Sequence, residues 1–450
     1  MIVKFLDKFG KLVKSITSIG YLPVDVEPVK DSKHLITSGA VAEIVPEGTS
    51  KDNQLMNSED TERLIDIMKP IDAMTLRFEF SKKDYNPETA GVGSAGTWTK
   101  VDSPTLNVWD WTTAATDWTS AFQGAFPDED NEVRVIAAGD TSDVVNISYL
   151  FAGELTNFAY TSKYSLAHRN NVVSCVPFDV SSCANFEGVF EGSTLMEVVP
   201  FKYNPSLTYS GPETFSVIFA DTYIENVVDL DFYGVNGKSS GLFARCTKLK
   251  KASLKGLYNF GYVNNTFWGT NTIYCPLEEF KLTGELNYGN LNLFFQNCRN
   301  LKKVSGLINN DNNVSCQGTF IQCFELEELE FNVGGSVVRV DYLFSSCRKI
   351  RNLPFINTSN NSNFQEMMEN CFAIETIPDY DVSSATNVKQ MCRNMYKAKY
   401  GILEMYNKLL ARGAAITDHT DCFLNCGIDT EEGRAALAQI PQSWGGLAEG

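Results

Sequence analysis

Basic residues, histidines and long apolar runs are all scarce in this sequence. Its 38 lysines and arginines are outnumbered by 55 aspartates and glutamates, which gives a formal net charge of −17. An acidic surface repels nucleic-acid phosphates, so the composition argues against a general DNA- or RNA-binding protein. No run approaches the roughly 18 apolar residues that a membrane-spanning helix needs. None of the three histidines stands in a nucleophile-elbow, zincin or phosphate-loop motif. We therefore expect no enzymatic activity and no cofactor.

A secretory signal is also missing, because lysines divide the apolar stretches of the first 20 residues. The protein is therefore expected to be made in a reducing cytoplasm. Its 12 cysteines then need an explanation other than a disulfide framework. A catalytic pair of carboxylates for glycoside hydrolysis is still an alternative, because the sequence does not give the distance between two carboxylates in space.

One short motif recurs along most of the chain. LFSSCRKIRNLPFIN places Phe344, Cys347 and Ile350 at three-residue intervals, and MMENCFAIETIPDY repeats the pattern 24 residues later from Met368. The aromatic residues that begin earlier, partly degenerate copies are Phe122, Phe151, Phe190, Phe219, Phe243, Phe267, Phe295 and Phe320. We call the first residue of each copy its anchor. The spacing indicates an internal repeat in the length range of leucine-rich coils.

Each copy divides into two parts of different periodicity. The residues at the anchor and three and six positions later favour a short helical or 3-10 turn with one face inward. The alternating apolar residues that follow, such as Leu326, Leu329 and Phe331 or Ile350, Leu353 and Phe355, are typical of a strand with one buried side. A single coil cannot bury its apolar side, so the copies must stack. We predict an α/β repeat fold, a leucine-rich-repeat-like solenoid with a parallel β-sheet and short helical turns.

The charges after each leading Leu or Ile reverse sign from coil to coil. They read Lys250-Lys251, Glu278-Glu279, Lys302-Lys303, Glu327-Glu328, Arg351 and Glu375. In a parallel ladder equivalent residues lie about 5 Å apart, where opposite charges attract and like charges repel. The pattern therefore predicts cross-coil ion pairs and penalises a register that skips a coil.

The rest of the chain is divided by composition and pattern. Residues 1–20 are predicted as an amphipathic anchor helix and 21–72 as a connector with short helices. A small β region follows over 73–114. The solenoid is predicted over 115–395, with a helical C-terminal cap over 396–450, because an open end would expose a sheet edge and core.

The predicted N-terminal helix differs from the body in charge and pattern. Its apolar residues are expected on one helical face, namely Ile2, Phe5, Phe9, Leu12 and Ile16. Four lysines and one aspartate give the segment a local charge of +3. Such a helix is marginally stable alone, so it needs a partner. It could dock into another virion component, pack against copies of itself in an oligomer, or lie on a membrane. The first two interpretations are compatible with each other.

Two further groups of residues have alternative interpretations. Trp109, Trp111 and Trp118 could stack on sugars or partner proteins, but packing at the junction with the first coil is the commoner role of clustered tryptophans. His419, Cys422 and Cys426 have an imperfect zinc spacing without a fourth ligand. Because Cys426 also fits the repeat register, we interpret these cysteines as buried structural thiols.

The Phe-x-x-Cys-x-x-Leu core and its following strand resemble the BspA-type leucine-rich repeats of bacterial surface proteins and of their phages. The resemblance covers roughly residues 115–426. PVKDSKHLITSGAVAE, from Pro28 to Glu43, is similar to a segment near the start of fiber and decoration proteins of crAss-like and related tailed phages. The ending HTDCFLNCGIDTEEGRAALAQIP resembles the terminal cap of repeat proteins in the same phages.

This resemblance implies a structural virion protein, a head fiber or decoration protein assembled in the host cytoplasm. Its expected partners are capsid or other virion proteins at the N-terminus, further copies of itself in a dimer or trimer, and a glycan or protein of the host surface. Two rival hypotheses remain, a virion-borne glycan depolymerase and a bacterial cell-surface adhesin.

Overall fold

The fold is described from a computed structural model of the chain. It describes residues 70–449 except for 128–129, 156–165, 202, 205, 208–214, 232–239, 257–274, 285–289 and 310–312, together with the backbone of 3–6, 12–16, 24–25 and 35–36. The repeat copy that begins at Phe267 lies outside these residues.

The N-terminal segments are strands, so the helix predicted over residues 1–20 is wrong. β1 (Val3–Leu6) pairs antiparallel with β2 (Leu12–Ile16). β-branched residues such as Val13 lose side-chain freedom in a helix, and a glycine at position 10 lowers the helix propensity further. Helical spacing of apolar residues was therefore outweighed by local strand propensity.

The connector contributes two very short parallel strands, β3 (Val24–Asp25) and β4 (Leu35–Ile36). The short helices predicted between residue 38 and residue 69 lie outside the described residues.

A mixed sheet joins the small β region to the first coils. The strands in this part of the chain are β5 (Thr75–Phe80), β6 (Thr97–Val101), β7 (Asn107–Thr112), β8 (Val133–Ala138), β9 (Glu154–Leu155), β10 (Leu166–His168) and β11 (Val172–Cys175). The sheet order is β11-β8-β5-β7-β6, while β9 and β10 form a separate antiparallel pair. β5 pairs antiparallel with both β7 and β8, and β8 pairs parallel with β11. Hydrogen bonds therefore cross the predicted boundary at residue 114.

The central coils form the predicted parallel ladder of a repeat solenoid. Its strands and their neighbours are β12 (Asn226–Asp231), β13 (Lys251–Gly256), β14 (Glu279–Leu282), β15 (Lys303–Asn309), β16 (Val314–Ser315), β17 (Glu328–Val333) and β18 (Val337–Arg339). The long sheet has the order β12-β13-β14-β15-β17, and β16 pairs parallel with β18. In β14 the glutamate and lysine are exposed while Phe280 and Leu282 are buried, as a strand with one covered face requires.

A second set of hydrogen bonds links the coils at the anchors. The residues two before and two after Phe344, Tyr342 and Ser346, have left-handed φ values of 62° and 66°. The amides of these three residues donate to carbonyl oxygens of the next coil at 2.9, 2.9 and 2.7 Å. The amides at the same three positions form the same bonds in other coils. The anchors of these coils are Phe122, Phe151, Phe190, Phe219, Phe295, Phe320 and Met368, together with Cys392, which occupies the anchor position 24 residues after Met368. We call this set the turn ladder.

The turn ladder corrects the predicted short helical turns. Bonds between residues three apart are present, as from the Cys347 amide to the Phe344 carbonyl oxygen at 2.9 Å. Left-handed residues interrupt the helix, however, because they aim the amides of alternate peptide groups at the next coil. The predicted solenoid is confirmed, and its turns are not helical.

The anchors form the centre of the core. Six pairs of successive anchor rings are stacked at 5.4–5.9 Å between centroids and within 20° of parallel, from Phe122 to Phe243 and from Phe295 to Phe344. Each fully buried ring stabilises the fold by about 1.5–3 kcal/mol. One apolar cluster extends from Leu76 in β5 to Trp444 near the C-terminus.

Two short helices lie beyond the last coils. α1 (Ile402–Leu410) buries Met405, Tyr406 and Leu409, and its preceding residue Gly401 has φ 83°. α2 (Glu431–Leu437) begins after Thr430, whose side chain accepts a hydrogen bond from the Gly433 amide at 3.0 Å. The ring of Trp444 packs edge-on to Tyr406 with centroids 5.5 Å apart. Within the described ranges no helix has the length and apolar character to cross a membrane.

Candidate anion-binding groove

Residues four positions after the anchors form a column of alternating arginines and aromatic rings. The residues are Arg299, Phe324, Arg348, Phe372 and Tyr396, from five successive coils. The guanidinium carbon of Arg348 lies 4.2 Å from the centroid of the Phe324 ring and 5.7 Å from that of Phe372. Arg299 lies 5.5 Å from the Phe324 ring, and the rings of Phe372 and Tyr396 are 5.2 Å apart. We call these five residues the Arg–Phe column.

The column is a direct consequence of the turn ladder. Because three hydrogen bonds hold each coil in register with the next, equivalent side chains are stacked about 5 Å apart. A guanidinium between two rings gains cation–π attraction of about 0.5–1 kcal/mol at an exposed site. Its planar N–H groups can still donate at their edge, so the rings orient Arg348 without consuming its hydrogen-bonding capacity.

An open groove of about 520 Å³ runs beside this column. Four cationic side chains line it, from Arg348, Lys349, Arg351 and Lys397, together with Phe372. Two carboxylates, those of Glu327 and Glu328, lie at the same groove. Positive groups are therefore concentrated at one place on a chain whose formal net charge is −17.

One of the four cations is paired within 4.0 Å. Lys349 pairs with Glu325 and, at 3.5 Å, with Glu327, and the hydrogen bond to Glu325 raises the pKa of Lys349 above its usual value. Arg348, Arg351 and Lys397 form no ion pair within 4.0 Å among the described residues. The charges of Arg351 and Lys397 nevertheless help to lower the pKa of Glu375, so Arg348 is the cation of the groove that has no carboxylate partner among the described residues.

The predicted charge ladder is confirmed on the neighbouring strands. Lys251 lies in register with Glu279, Glu279 with Lys303, and Lys303 with Glu328. The Nζ to carboxylate distances are 3.0 Å for Lys251 with Glu279 and 2.5 Å for Lys303 with Glu328. The hydrogen bond to Glu328 raises the pKa of Lys303.

The ladder departs from the prediction at its next step. Lys349, rather than Arg351, is the cation that pairs with Glu327. Glu375 pairs with Lys399 at 2.8 Å, and this contact lowers the pKa of Glu375. Arg351 therefore does not take its predicted place in the charge ladder, and its side chain lines the groove instead.

A pair of carboxylates lies in the turn ladder two coils before the C-terminal one. Glu369 is hydrogen-bonded to Glu366, and burial together with the Glu366 charge raises the pKa of Glu369 to about 7. Arg393, 3.7 Å away, opposes this shift. The amide of Gln365 donates to Glu366 at 3.0 Å and to the Tyr342 hydroxyl at 2.6 Å. Glu369 is therefore partly protonated near neutral pH.

The three candidate tryptophans are packed at the junction, as the commoner interpretation expects. Trp111 and Trp118 are 0% and 1% exposed, with ring centroids 5.4 Å apart. Trp109 is 8% exposed and its indole N–H donates to Asn107 at 2.8 Å. The indole of Trp111 donates to the Gly93 carbonyl and that of Trp118 to the Ala115 carbonyl, both at 2.8 Å. Their rings do not form an exposed platform for a ligand.

The candidate anchoring residues are only partly described. Phe5 lies on β1, and Leu12 and Ile16 lie on β2, so they do not share a helical face. Ile2 and Phe9 lie outside the described residues. Attachment through this segment stays a prediction.

The repeat cysteines are buried thiols with a specific donor role. All twelve cysteines are free, and eleven are buried. The Sγ of Cys347 donates to the carbonyl oxygen of Phe320 at 3.2 Å, and that of Cys371 to Phe344 at 3.2 Å. Each anchor carbonyl thereby accepts a bond from its own coil and one from the next. Burial raises the pKa of the Cys347 thiol well above its usual value.

The possible zinc ligands have different environments. Cys422 and Cys426 are fully buried, whereas the ring of His419 stacks on Trp444 with centroids 4.1 Å apart. The Nδ1 atom of His419 lies 3.1 Å from the carbonyl oxygen of Ser443. Among the described residues no group of three or more His, Cys, Asp or Glu side chains is arranged to hold a metal ion.

Comparison with known proteins adds no relative. No protein-family model matches the chain, and searches of curated proteins and of solved structures find no significant match.

The Arg–Phe column was not predicted from the sequence, because the repeat was defined by its apolar positions alone. Aligning the copies four residues after each anchor reveals it.

Proposed function

We propose that this chain is a non-enzymatic structural protein of a virion, a head fiber or decoration protein that displays a BspA-type leucine-rich-repeat solenoid for adhesion. The observation that carries the proposal is the stack of coils in the described residues, with a cationic groove on its surface. A rigid, repetitive body with an exposed charged groove suits recognition of a surface polymer. The repeat resemblance supports a place on phage particles.

The proposal assigns attachment to the N-terminal segment. Residues 1–20 carry a local charge of +3 on an otherwise acidic chain, and β1 and β2 pair with each other rather than with a solenoid strand. A capsid or other virion protein, or further copies of the chain in a dimer or trimer, would cover this hairpin. The connector then lets the solenoid project toward host or gut surfaces.

The rival depolymerase function would require a pair of carboxyl groups about 5–5.5 Å apart for retention or about 6.5–9.5 Å apart for inversion. The proposal assigns no catalytic pair, and it gives Glu366 and Glu369 a structural role in the turn ladder.

Deletion of residues 1–20 tests the attachment. The truncated chain should remain folded, because no repeat coil is touched, and its circular dichroism and melting temperature should match those of the full chain. It should be absent from purified particles or lose its oligomeric state. Replacing the four lysines of this segment by glutamine is a milder companion variant. Incorporation of the truncated chain at the wild-type copy number would refute N-terminal attachment.

A further inference from the structure

We infer that the groove beside the Arg–Phe column binds an acidic polysaccharide with a carboxylate or sulfate on alternate sugars. This inference deepens the adhesive function proposed above and rests on it for the biological setting. The binding chemistry itself depends only on the groove. Arg348, Arg351 and Lys397, which form no ion pair within 4.0 Å among the described residues, provide the contacts.

The spacing of the cations matches such a polymer. Arg348 and Lys397 belong to coils two steps apart, whose turn-ladder bonds are centred on Phe344 and Cys392. Two coil steps span about 10 Å, close to the length of one disaccharide in an extended chain. The coil between Arg348 and Lys397 contributes Phe372 and Ala373 to the groove instead of a charge. Anionic groups one disaccharide apart would therefore lie near Arg348 and Lys397.

The chemistry of Arg348 favours a planar oxyanion. Phe324 and Phe372 lie on either side of it along the column, which limits the guanidinium to few orientations. A carboxylate or sulfate can accept two parallel N–H bonds from such a fork. Because the side chain is oriented before binding, less conformational entropy is lost when the ligand arrives.

Other polyanions fit the groove less well. A nucleic acid carries closely spaced phosphates, and Glu327 and Glu328 at the groove, together with the net charge of −17, oppose them. An extended peptide can gain affinity by adding a strand to a free sheet edge. Next to the groove, however, the amides of Phe344 and Met368 are already bonded to the following coils. A charged glycan needs only the side chains.

Isothermal titration of the full-length chain with defined octasaccharides tests the inference. Hyaluronan supplies carboxylates on alternate sugars, keratan sulfate supplies sulfates, and dextran of equal length is the neutral probe. One or both acidic probes should bind, dextran should not, and raising the salt from about 0.05 M to 0.15 M should weaken binding. Failure of both acidic probes, or equal binding of dextran, would overturn the inference.

Variants distinguish the groove from the general field of the protein. Arg348→Ala should weaken binding about ten-fold, because a charge-assisted bidentate contact is lost. Arg348→Lys keeps the charge but loses the planar fork, so it should recover only part of the affinity. Lys281→Ala is the matched control, since this exposed lysine on β14 also forms no ion pair among the described residues. Equal weakening by Arg348→Ala and Lys281→Ala would indicate non-specific attraction and refute the site. Melting temperatures check that each variant is folded.

Particles separate this inference from the proposed function. If particles that carry Arg348→Ala incorporate the protein normally and still adhere like wild type, the groove is not the adhesive site while the virion role stands. If the purified chain binds the acidic glycan but is absent from particles, the virion role fails and the groove assignment stands.

Discussion

The strand ladder and the turn ladder hold the same coils, but they extend over different parts of the chain. Within the described residues the long parallel sheet ends with β17 at Val333. Beyond β18 the parallel pairing is reduced to single bridges, such as that between Thr376 and Tyr400. Among the described residues the turn ladder runs from Ser120 to Ala244 and again from Leu293 to Leu424, across coils with and without strands. The stack is therefore maintained at the anchors even where the sheet is absent.

Proline explains the loss of strands on the C-terminal side. Pro354 and Pro378 occupy equivalent positions 24 residues apart, in the stretches where the next two strands were expected. Proline cannot donate the ladder hydrogen bond and is disfavoured in an interior strand. The turn ladder has no proline at its donor positions in these coils, so its three bonds per coil persist.

The largest expected effect comes from removing an anchor. Phe344 is 0% exposed, and its ring centroid lies 5.7 Å from that of Phe320. Phe355 lies in the stretch of the same coil where a strand was expected and none forms, and it is 76% exposed. Phe344→Ala should lower the free energy of unfolding by about 3–5 kcal/mol because it leaves a cavity. Phe355→Ala should change it by less than about 0.5 kcal/mol. Urea denaturation followed by circular dichroism measures both, and similar losses would contradict the dominance of the turn ladder.

Phe355 also marks the limit of what the sequence could predict. The pattern Ile350, Leu353, Phe355 predicts an inward Phe355, but the buried residue is Ile356, 1% exposed. The period and the anchors were predictable because every copy satisfies the same local geometry. Inside a coil without strand hydrogen bonds, no period of two constrains which side chain turns inward.

Of the candidate site, the sequence predicted the ion pairs between strands but not the Arg–Phe column. The ion pairs of β13, β14, β15 and β17 follow from sign alternation, since parallel register fixes which residues meet. The Arg–Phe column needs the position of the turn relative to the anchor, which the expected helical turn gave wrongly. Tyr342 and Ser346 themselves carry no glycine or asparagine signal for the left-handed turn. The equivalent position two residues after other anchors does carry one, at Gly124, Gly192, Asn297, Asn370 and Asn394, so an alignment of the copies at these positions would have indicated the turn.

The next effect in size concerns the thiols of the turn ladder. Cys347→Ala should lower the free energy of unfolding by about 1 kcal/mol, because it removes a buried sulfur and its bond to the Phe320 carbonyl. Cys175→Ala, at a half-buried position in β11, should have a smaller effect. Urea denaturation measures both variants. Equal losses of unfolding free energy in Cys347→Ala and Cys175→Ala would show that the buried position of Cys347 in the turn ladder adds no stability.

The same burial predicts the chemical reactivity of the thiols. Burial raises the pKa of Cys246 to about 12, so little reactive thiolate is present at neutral pH. Burial also raises the pKa of Cys175, the half-buried cysteine, and the other eleven are buried. In the folded protein none of the twelve should therefore react quickly with a thiol reagent, and all twelve should react after denaturation. Rapid reaction of several thiols in the folded chain would show that the anchors open readily.

The strand ladder should contribute less than the turn ladder. Glu327→Lys with Glu328→Lys places like charges beside Lys349 and Lys303. We expect the melting temperature to fall by roughly 1–3 °C at low salt. At about 1 M salt the Debye length is near 3 Å, so most of this difference should disappear. An unchanged melting temperature at low salt would show that the alternating charges do not stabilise the stack.

The smallest effect is expected from the protonation of Glu369, which lies in a coil held by the turn ladder alone. The folded state raises the pKa of Glu369 from 4.5 to about 7 through burial and the neighbouring Glu366 charge. Between these two values the folded protein binds a proton that the unfolded chain has released. This contribution to stability is therefore complete below about pH 4.5 and decreases as the pH rises to about 7.

Glu369→Gln tests this pH dependence, because glutamine mimics the neutral carboxyl group at every pH. The melting temperature of the variant relative to wild type should increase by about 1 °C between pH 4.5 and pH 7.5, since only wild type loses the proton. Glu404→Gln makes the same chemical change at an exposed position of α1 and should not show this increase. A difference between Glu369→Gln and wild type that stays constant with pH would mean that the folded state does not raise the pKa of Glu369. Since Arg393 is 3.7 Å from Glu369, Arg393→Ala should enlarge the wild-type pH dependence by removing the charge that stabilises the ionised form.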